Sequence, residues 1–95
     1  MRLFLDDLRD APPDFTVARS TVEALQLVQT QWPVFMSLDH DLGGDDTTMV
    51  FLRRLVNEIW DGKQTIPEYV VHSANPVGRL NIISFMESWK KSHTN

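Results

Sequence analysis

The chain has 95 residues, 42% of them apolar and 23% charged, with a formal charge of −4 and no cysteine. That length supports one hydrophobic core, so a single domain over residues 1–95 is expected. The absence of cysteine excludes disulfides, thiolate zinc sites and cysteine nucleophiles, and the acidic balance argues against gripping an extended nucleic-acid backbone, which needs a basic stripe. No apolar run is long enough to span a membrane, and no signal peptide or lipidation motif is recognised, so a soluble cytoplasmic protein is expected.

In chain order, Arg2-Leu3-Phe4-Leu5 reads as an apolar strand that stops at Asp6-Asp7, and the stretch through Arg9, Asp10, Pro12 and Pro13 reads as a loop. Phe15 to Ala18 is a second short strand. Ser20 and Glu23 form a capping box ahead of Val22, Ala24, Leu25, Leu27 and Val28, which predicts a helix from Thr21 to Gln31. Pro33 closes it, and Val34 to Leu38 is the third strand. The loop Asp39-His40-Asp41-Leu42-Gly43-Gly44-Asp45-Asp46 follows. Met49, Leu52, Leu55, Val56 and Ile59 then mark the inner face of a second helix, which Asp61-Gly62 ends.

Tyr69-Val70-Val71 is the fourth strand and runs straight into His72-Ser73-Ala74-Asn75. Asn75 is a good N-cap and Pro76 a favoured first helical residue, so a third helix begins there. Its inner face is Ile82, Phe85, Met86 and Trp89, and Lys90-Lys91 suit its C-terminal dipole. The Trp, Phe and Met residues fit core packing better than a cofactor box.

Strands alternating with helices predict an α/β fold of flavodoxin-like type, with right-handed crossovers and a parallel sheet of order 2-1-3-4 covered on both faces. Ligands of such sheets bind beyond the carboxyl ends of the strands, at the switch point between strands 1 and 3. Strands 1, 3 and 4 deliver Asp6-Asp7, Asp39-His40-Asp41 and His72-Ser73-Ala74-Asn75 to that edge. Asp6, Asp7, Asp10, Asp39, Asp41, Asp45 and Asp46 make up more than half of the 13 acidic residues.

Carboxylates gathered closely repel one another unless protonated or joined by a cation. Oxygen ligands in a small polar crevice suit Mg²⁺ or another divalent cation, with Asp6, Asp7 and Asp39 as the expected ligands and Asp41 beside them. With a helix N-terminus adjacent, the natural ligand is a phosphate. Opening a cyclic phosphate needs one group to deprotonate water and another to protonate the departing oxygen, and imidazole is suited to both roles near neutral pH, which makes His40 and His72 the candidates. Arg9 and Arg79 are candidate clamps on nonbridging oxygens, with Ser73 and Asn75 as further donors. For each of these residues a purely structural role, in an ion pair, a helix cap or a solvated face, is the competing explanation.

The motifs LFLDDLR, SLDHDLGG and VHSANPVG, in that order and spread over nearly the whole chain, resemble the cyclic-phosphate processing receiver domain family. The arrangement is more remotely similar to response-regulator receivers. There the acidic pair after strand 1 corresponds to Asp6 and Asp7, the phosphoacceptor to Asp39, and the hydroxyl residue followed by alanine to Ser73-Ala74. The resemblance implies a truncated, receiver-like three-layer sandwich of four strands and three helices. A receiver's fifth strand, with its phosphoryl-contacting lysine, has no counterpart here, since Lys90 and Lys91 lie on or after a helix.

The expected function is metal-assisted hydrolysis of cyclic phosphates on nucleotides or RNA ends, with Asp39, His40 and His72 as catalytic residues. The alternatives are a module that accepts a phosphoryl group on Asp39 or senses a nucleotide without catalysis, and a purely structural adaptor. The expected partner is a phosphate-containing small molecule or RNA end, and a sheet edge offers a route to homo-oligomers.

Overall fold

A computed structural model describes residues 1–93. The elements follow the expected order: β1 Arg2–Leu5, β2 Thr16–Ala18, α1 Thr21–Thr30, β3 Phe35–Leu38, α2 Thr48–Arg54, β4 Glu68–Val71 and α3 Pro76–Ser92. Both expected caps form. The Ser20 side chain accepts from the Glu23 amide, and the Asn75 side chain accepts from the Gly78 amide with Pro76 at the start of α3. The second helix is shorter than its apolar periodicity implies, because Leu55–Ile59 winds as a π-helical turn. That wider turn buries Leu55 and sets Val56, Ile59 and Trp60 against the core.

The sheet is wholly parallel with order β2-β1-β3-β4, so β2 and β4 are its edges. Register aligns Leu5 with Ala18 and Leu38, Leu3 with Met36, Met36 with Tyr69, and Leu38 with Val71. Paired residues on neighbouring strands point to the same side. This side is the core face, where Leu3, Leu5, Ala18, Met36 and Leu38 meet Leu25, Val28, Phe51, Leu52, Leu55, Ile82, Met86 and Trp89. α1 packs beside α2 and α2 beside α3, so the helices form one layer over it.

The expected sandwich is therefore truncated to two layers: among the described residues no helix covers the opposite face, which carries Arg2, Phe4, Val17, Phe35, Ser37, Glu68 and Val70. The cause is directional. The steps from β2 to β3 and from β3 to β4 run the same way across the sheet, so right-handed crossovers place α1 and α2 on one face. The step from β1 to β2 runs the other way, and a helix there would cover the second face. Its connection instead contains Pro12-Pro13 and, at Asp14, a φ of 72°, neither of which sustains a helix.

The second face covers itself with aromatic side chains. Phe4 and Phe15 meet edge-on at 6.2 Å, as do Phe15 and Phe35 at 6.1 Å. The tryptophans serve packing, as expected: Trp89 is buried and Trp60 meets it edge-on at 5.2 Å. No helix among the described residues is long and apolar enough to cross a membrane.

Candidate functional site

The carboxyl ends of β1, β3 and β4 open into a crevice of about 490 Å³ lined by Asp7, Arg9, Asp39, Asp41, Ser73 and Asn75, with Gly43 and Gly44 forming its lip. Both glycines have positive φ, 91° and 57°, a backbone shape that L side chains rarely adopt. The β3–α2 loop is pinned at two further points. The Asp46 carboxylate accepts from the Thr21 amide at 2.8 Å and the Thr21 hydroxyl at 2.7 Å, and the buried Thr48 hydroxyl donates to the Asp39 carbonyl.

Asp6 is buried beside this crevice, only 1% exposed. Its Oδ1 accepts from the Leu8 and Arg9 amides at 2.8 and 2.9 Å, while Oδ2 lies 2.9 Å from His72 Nε2. Burial pushes the carboxyl up, but the Arg9 and Leu8 amides and the His72 ring together outweigh it and hold Asp6 below the ordinary carboxylate value of 3.8. An ionised carboxylate only accepts, so the hydrogen sits on His72 Nε2. In the neutral ring Nδ1 then accepts from the Ser37 hydroxyl, 2.8 Å away. Phe4 lies parallel to the His72 ring at 4.7 Å with 4° between planes, fixing its orientation. Arg9 Nη1 donates to the His72 carbonyl at 2.9 Å, and Arg19 Nη1 donates to the Asp6 carbonyl at 3.0 Å and also to that of Arg9.

On the other side of the crevice, the His40 amide donates to Asp39 Oδ1 at 2.8 Å, and the His40 ring Nδ1 pairs with Asp41 Oδ1 at 3.0 Å. Asn75 Nδ2 donates to Asp41 Oδ2 at 3.3 Å. The His40 and Asn75 bonds hold the Asp41 carboxyl below its ordinary value. The His40 ring rests on the first turn of α3. A Cβ added at Gly78 would lie 2.7 Å from both Cδ2 and Nδ1 of that ring, so glycine is what lets it approach.

Most of the residues singled out in the sequence thus meet at one edge. Asp7, Arg9, Asp39, Asp41, Ser73 and Asn75 line the crevice, and Asp6 adjoins it. The two histidines stand one step back, neither being among the lining residues: His72 is behind Asp6, and His40 is behind Asp41. Arg79 is elsewhere. Its Nη1 donates to the Val71 carbonyl at 2.6 Å, and it lines a groove between β4 and α3 with Tyr69, Ile83 and Glu87. Sequence reasoning missed Ser37, Arg19 and Thr48. Ser37 had a signal, being a hydroxyl inside an otherwise apolar strand; Arg19 and Thr48 had none, because their partners are backbone carbonyls distant in sequence.

Asp6, Asp39 and His72 each offer a ligand atom, and these atoms all lie within 4.8 Å of one another, a spacing suited to a shared metal ion. The donor chemistry favours a hard cation on carboxylate oxygens. Both His72 nitrogens are already engaged, by Asp6 and Ser37, so the ring fits better as the group that orients Asp6 from behind than as a direct ligand.

The family model described as cyclic-phosphate processing Receiver domain matches residues 1–88. Neither the curated proteins nor the solved structures supply a match. With the model spanning all four strands and most of α3, the chain belongs to the cyclic-phosphate processing receiver domain family.

Proposed function

We propose that the crevice binds a divalent cation such as Mg²⁺ together with a phosphate, and hydrolyses the cyclic phosphate of a nucleotide or RNA end. The single observation that carries this is the convergence of Asp6, Asp7, Asp39 and Asp41 with Arg9, Ser73 and Asn75 at the carboxyl edge of the sheet. The carboxylates hold the cation, which when bound polarises a phosphoryl oxygen. Arg9, Ser73 and Asn75, interleaved with the carboxylates, bind nonbridging oxygens.

Ring opening adds water across one P–O bond, so a proton leaves the attacking water and another reaches the departing ribose oxygen. Asp41 faces the crevice as an ionised carboxylate that accepts from His40 Nδ1, so Asp41 takes the proton of the attacking water while the His40 ring holds it in place. The departing oxygen takes its proton from solvent in the open crevice. The Arg9 and Leu8 amides keep Asp6 ionised, with His72 assisting and aiming the carboxylate.

The test is to incubate the protein with 2′,3′-cyclic nucleotides and cyclic-phosphate-ended RNA, with and without Mg²⁺. Monoester should form only with the metal, disappear in Asp39→Asn, and fall by about 100-fold in Asp41→Asn, the scale of a general base. No ring-opened product, or product undiminished in both variants, overturns the proposal. A second function is favoured by one arrangement: Asp39 shares the crevice with Asp7 and Ser73, the positions that correspond to receiver phosphorylation machinery. In that case acetyl phosphate adds one phosphoryl group by intact mass to the wild type and none to Asp39→Asn.

A further inference from the structure

The uncovered sheet face has a composition that packing alone does not call for. Phe15 and Phe35 are partly exposed, and the exposed Arg2 lays its guanidinium 4.6 Å and 5.2 Å from their ring centroids. Phe4 continues the row inward, and the His72 ring lies parallel on Phe4 at 4.7 Å. The row of π surfaces therefore ends on the residue that holds Asp6 at the crevice. Two cations border that seam: Arg9, which reaches over to the His72 carbonyl, and Arg19, which binds the Asp6 and Arg9 carbonyls.

Aromatic rings and guanidinium planes on an open four-stranded sheet are a surface on which nucleobases stack, and such sheets hold about two or three bases. Phe4 is buried, so the accessible stacking groups are Phe15, Phe35 and Arg2, and Arg2 lies about 10 Å along the strand from Leu5, a reach of about two bases from the phosphate. The charge also matches. In a chain whose formal charge is −4, two arginines, Arg9 and Arg19, flank the buried Asp6 where the aromatic row meets the crevice, and a phosphodiester would pass there.

We propose that this face stacks the terminal bases of the nucleotide or RNA end whose phosphate occupies the crevice, an inference that rests on the proposed function and extends it to the base. The probes are the dinucleotide ApA with a 2′,3′-cyclic phosphate end, ApA with a plain 3′-hydroxyl, and a base-free methyl riboside 2,3-cyclic phosphate, each followed by amide NMR titration. Both dinucleotides should shift the amides of Arg2, Phe4, Phe15 and Phe35. The cyclic-phosphate dinucleotide should bind at least about tenfold more tightly than the base-free sugar, the scale of one stacked base.

Phe35→Leu and Arg2→Gln should each remove most of that tenfold advantage and leave the base-free sugar unaffected. Arg2→Gln changes only an exposed side chain, so it keeps the test decisive if Phe35→Leu perturbs folding. Equal affinity for the cyclic-phosphate dinucleotide and the base-free sugar, or wild-type affinity in both variants, overturns the stacking face. Failure of the crevice alone looks different: the plain 3′-hydroxyl dinucleotide then binds as tightly as the cyclic-phosphate form, while the shifts on the sheet face persist.

Discussion

Three buried or half-buried contacts decide how the crevice works. Asp6 accepts two backbone amides and faces His72, and its carboxyl is held below its ordinary value, so its charge stabilises the fold above about 3.8, the unfolded value, and that stability is lost as pH falls through the lower folded value. Asp6→Asn, which turns an amide toward donors, should cost about 1–3 kcal/mol at neutral pH in urea unfolding. The deficit should shrink as pH drops below 4. Ser37→Ala leaves the fold but frees the His72 ring, and the expected loss is about tenfold in Mg²⁺ affinity by calorimetry, as for other groups that orient a ligand from behind. Gly78→Ala should go against the usual helix preference. Alanine normally gains about 1 kcal/mol over glycine inside a helix, but here its methyl meets the His40 ring, so a net loss of about 1–3 kcal/mol is expected in thermal unfolding. Combining it with His40→Ala should recover most of that loss. None of these couplings was legible in the sequence, which placed both histidines at strand ends but could not say which way their rings turn.

At the scale of elements, the local signals were clear. Ser20 and Asn75 cap as their sequence contexts imply, and β1, β3 and β4 end at Asp6, Asp39 and His72. The π-helical turn after Arg54 was not legible, because Leu55, Val56 and Ile59 satisfy an α-helical pattern equally well. α3 is tied to the edge strand by Tyr69, whose hydroxyl donates to Glu87 at 2.6 Å. Burial and the Glu87 and Glu68 carboxylates push its phenol up to about 12. The raised value means that the neutral phenol stabilises the folded chain below about 10 and that this contribution is lost as pH rises through the folded value. Tyr69 is the single tyrosine in the sequence, so the alkaline absorbance titration reads it alone. A midpoint near 12 is expected, and Glu87→Gln should lower it.

Across the whole molecule, the strand order and the edge at which the acidic strand ends gather were readable from chain order and handedness, while the number of layers was not. Phe4, Phe35 and Val70 make each strand apolar on both sides, the pattern of a sheet buried between two helical layers. In the folded chain Phe4 and Phe35 lie on the face away from the helices, screened in part by Phe15 and by the Arg2 guanidinium, while Val70 stays exposed. Among the described residues one sheet face thus has no helix over it, directly beside a crevice rich in carboxylates. The most direct test of that crevice as the functional centre is an amide NMR titration with Mg²⁺. The amides of Asp6, Asp7, Asp39 and Ser73 should shift together and saturably, and Asp39→Asn should abolish the response. Shifts spread evenly over the surface acids, or a response unchanged in Asp39→Asn, would contradict it.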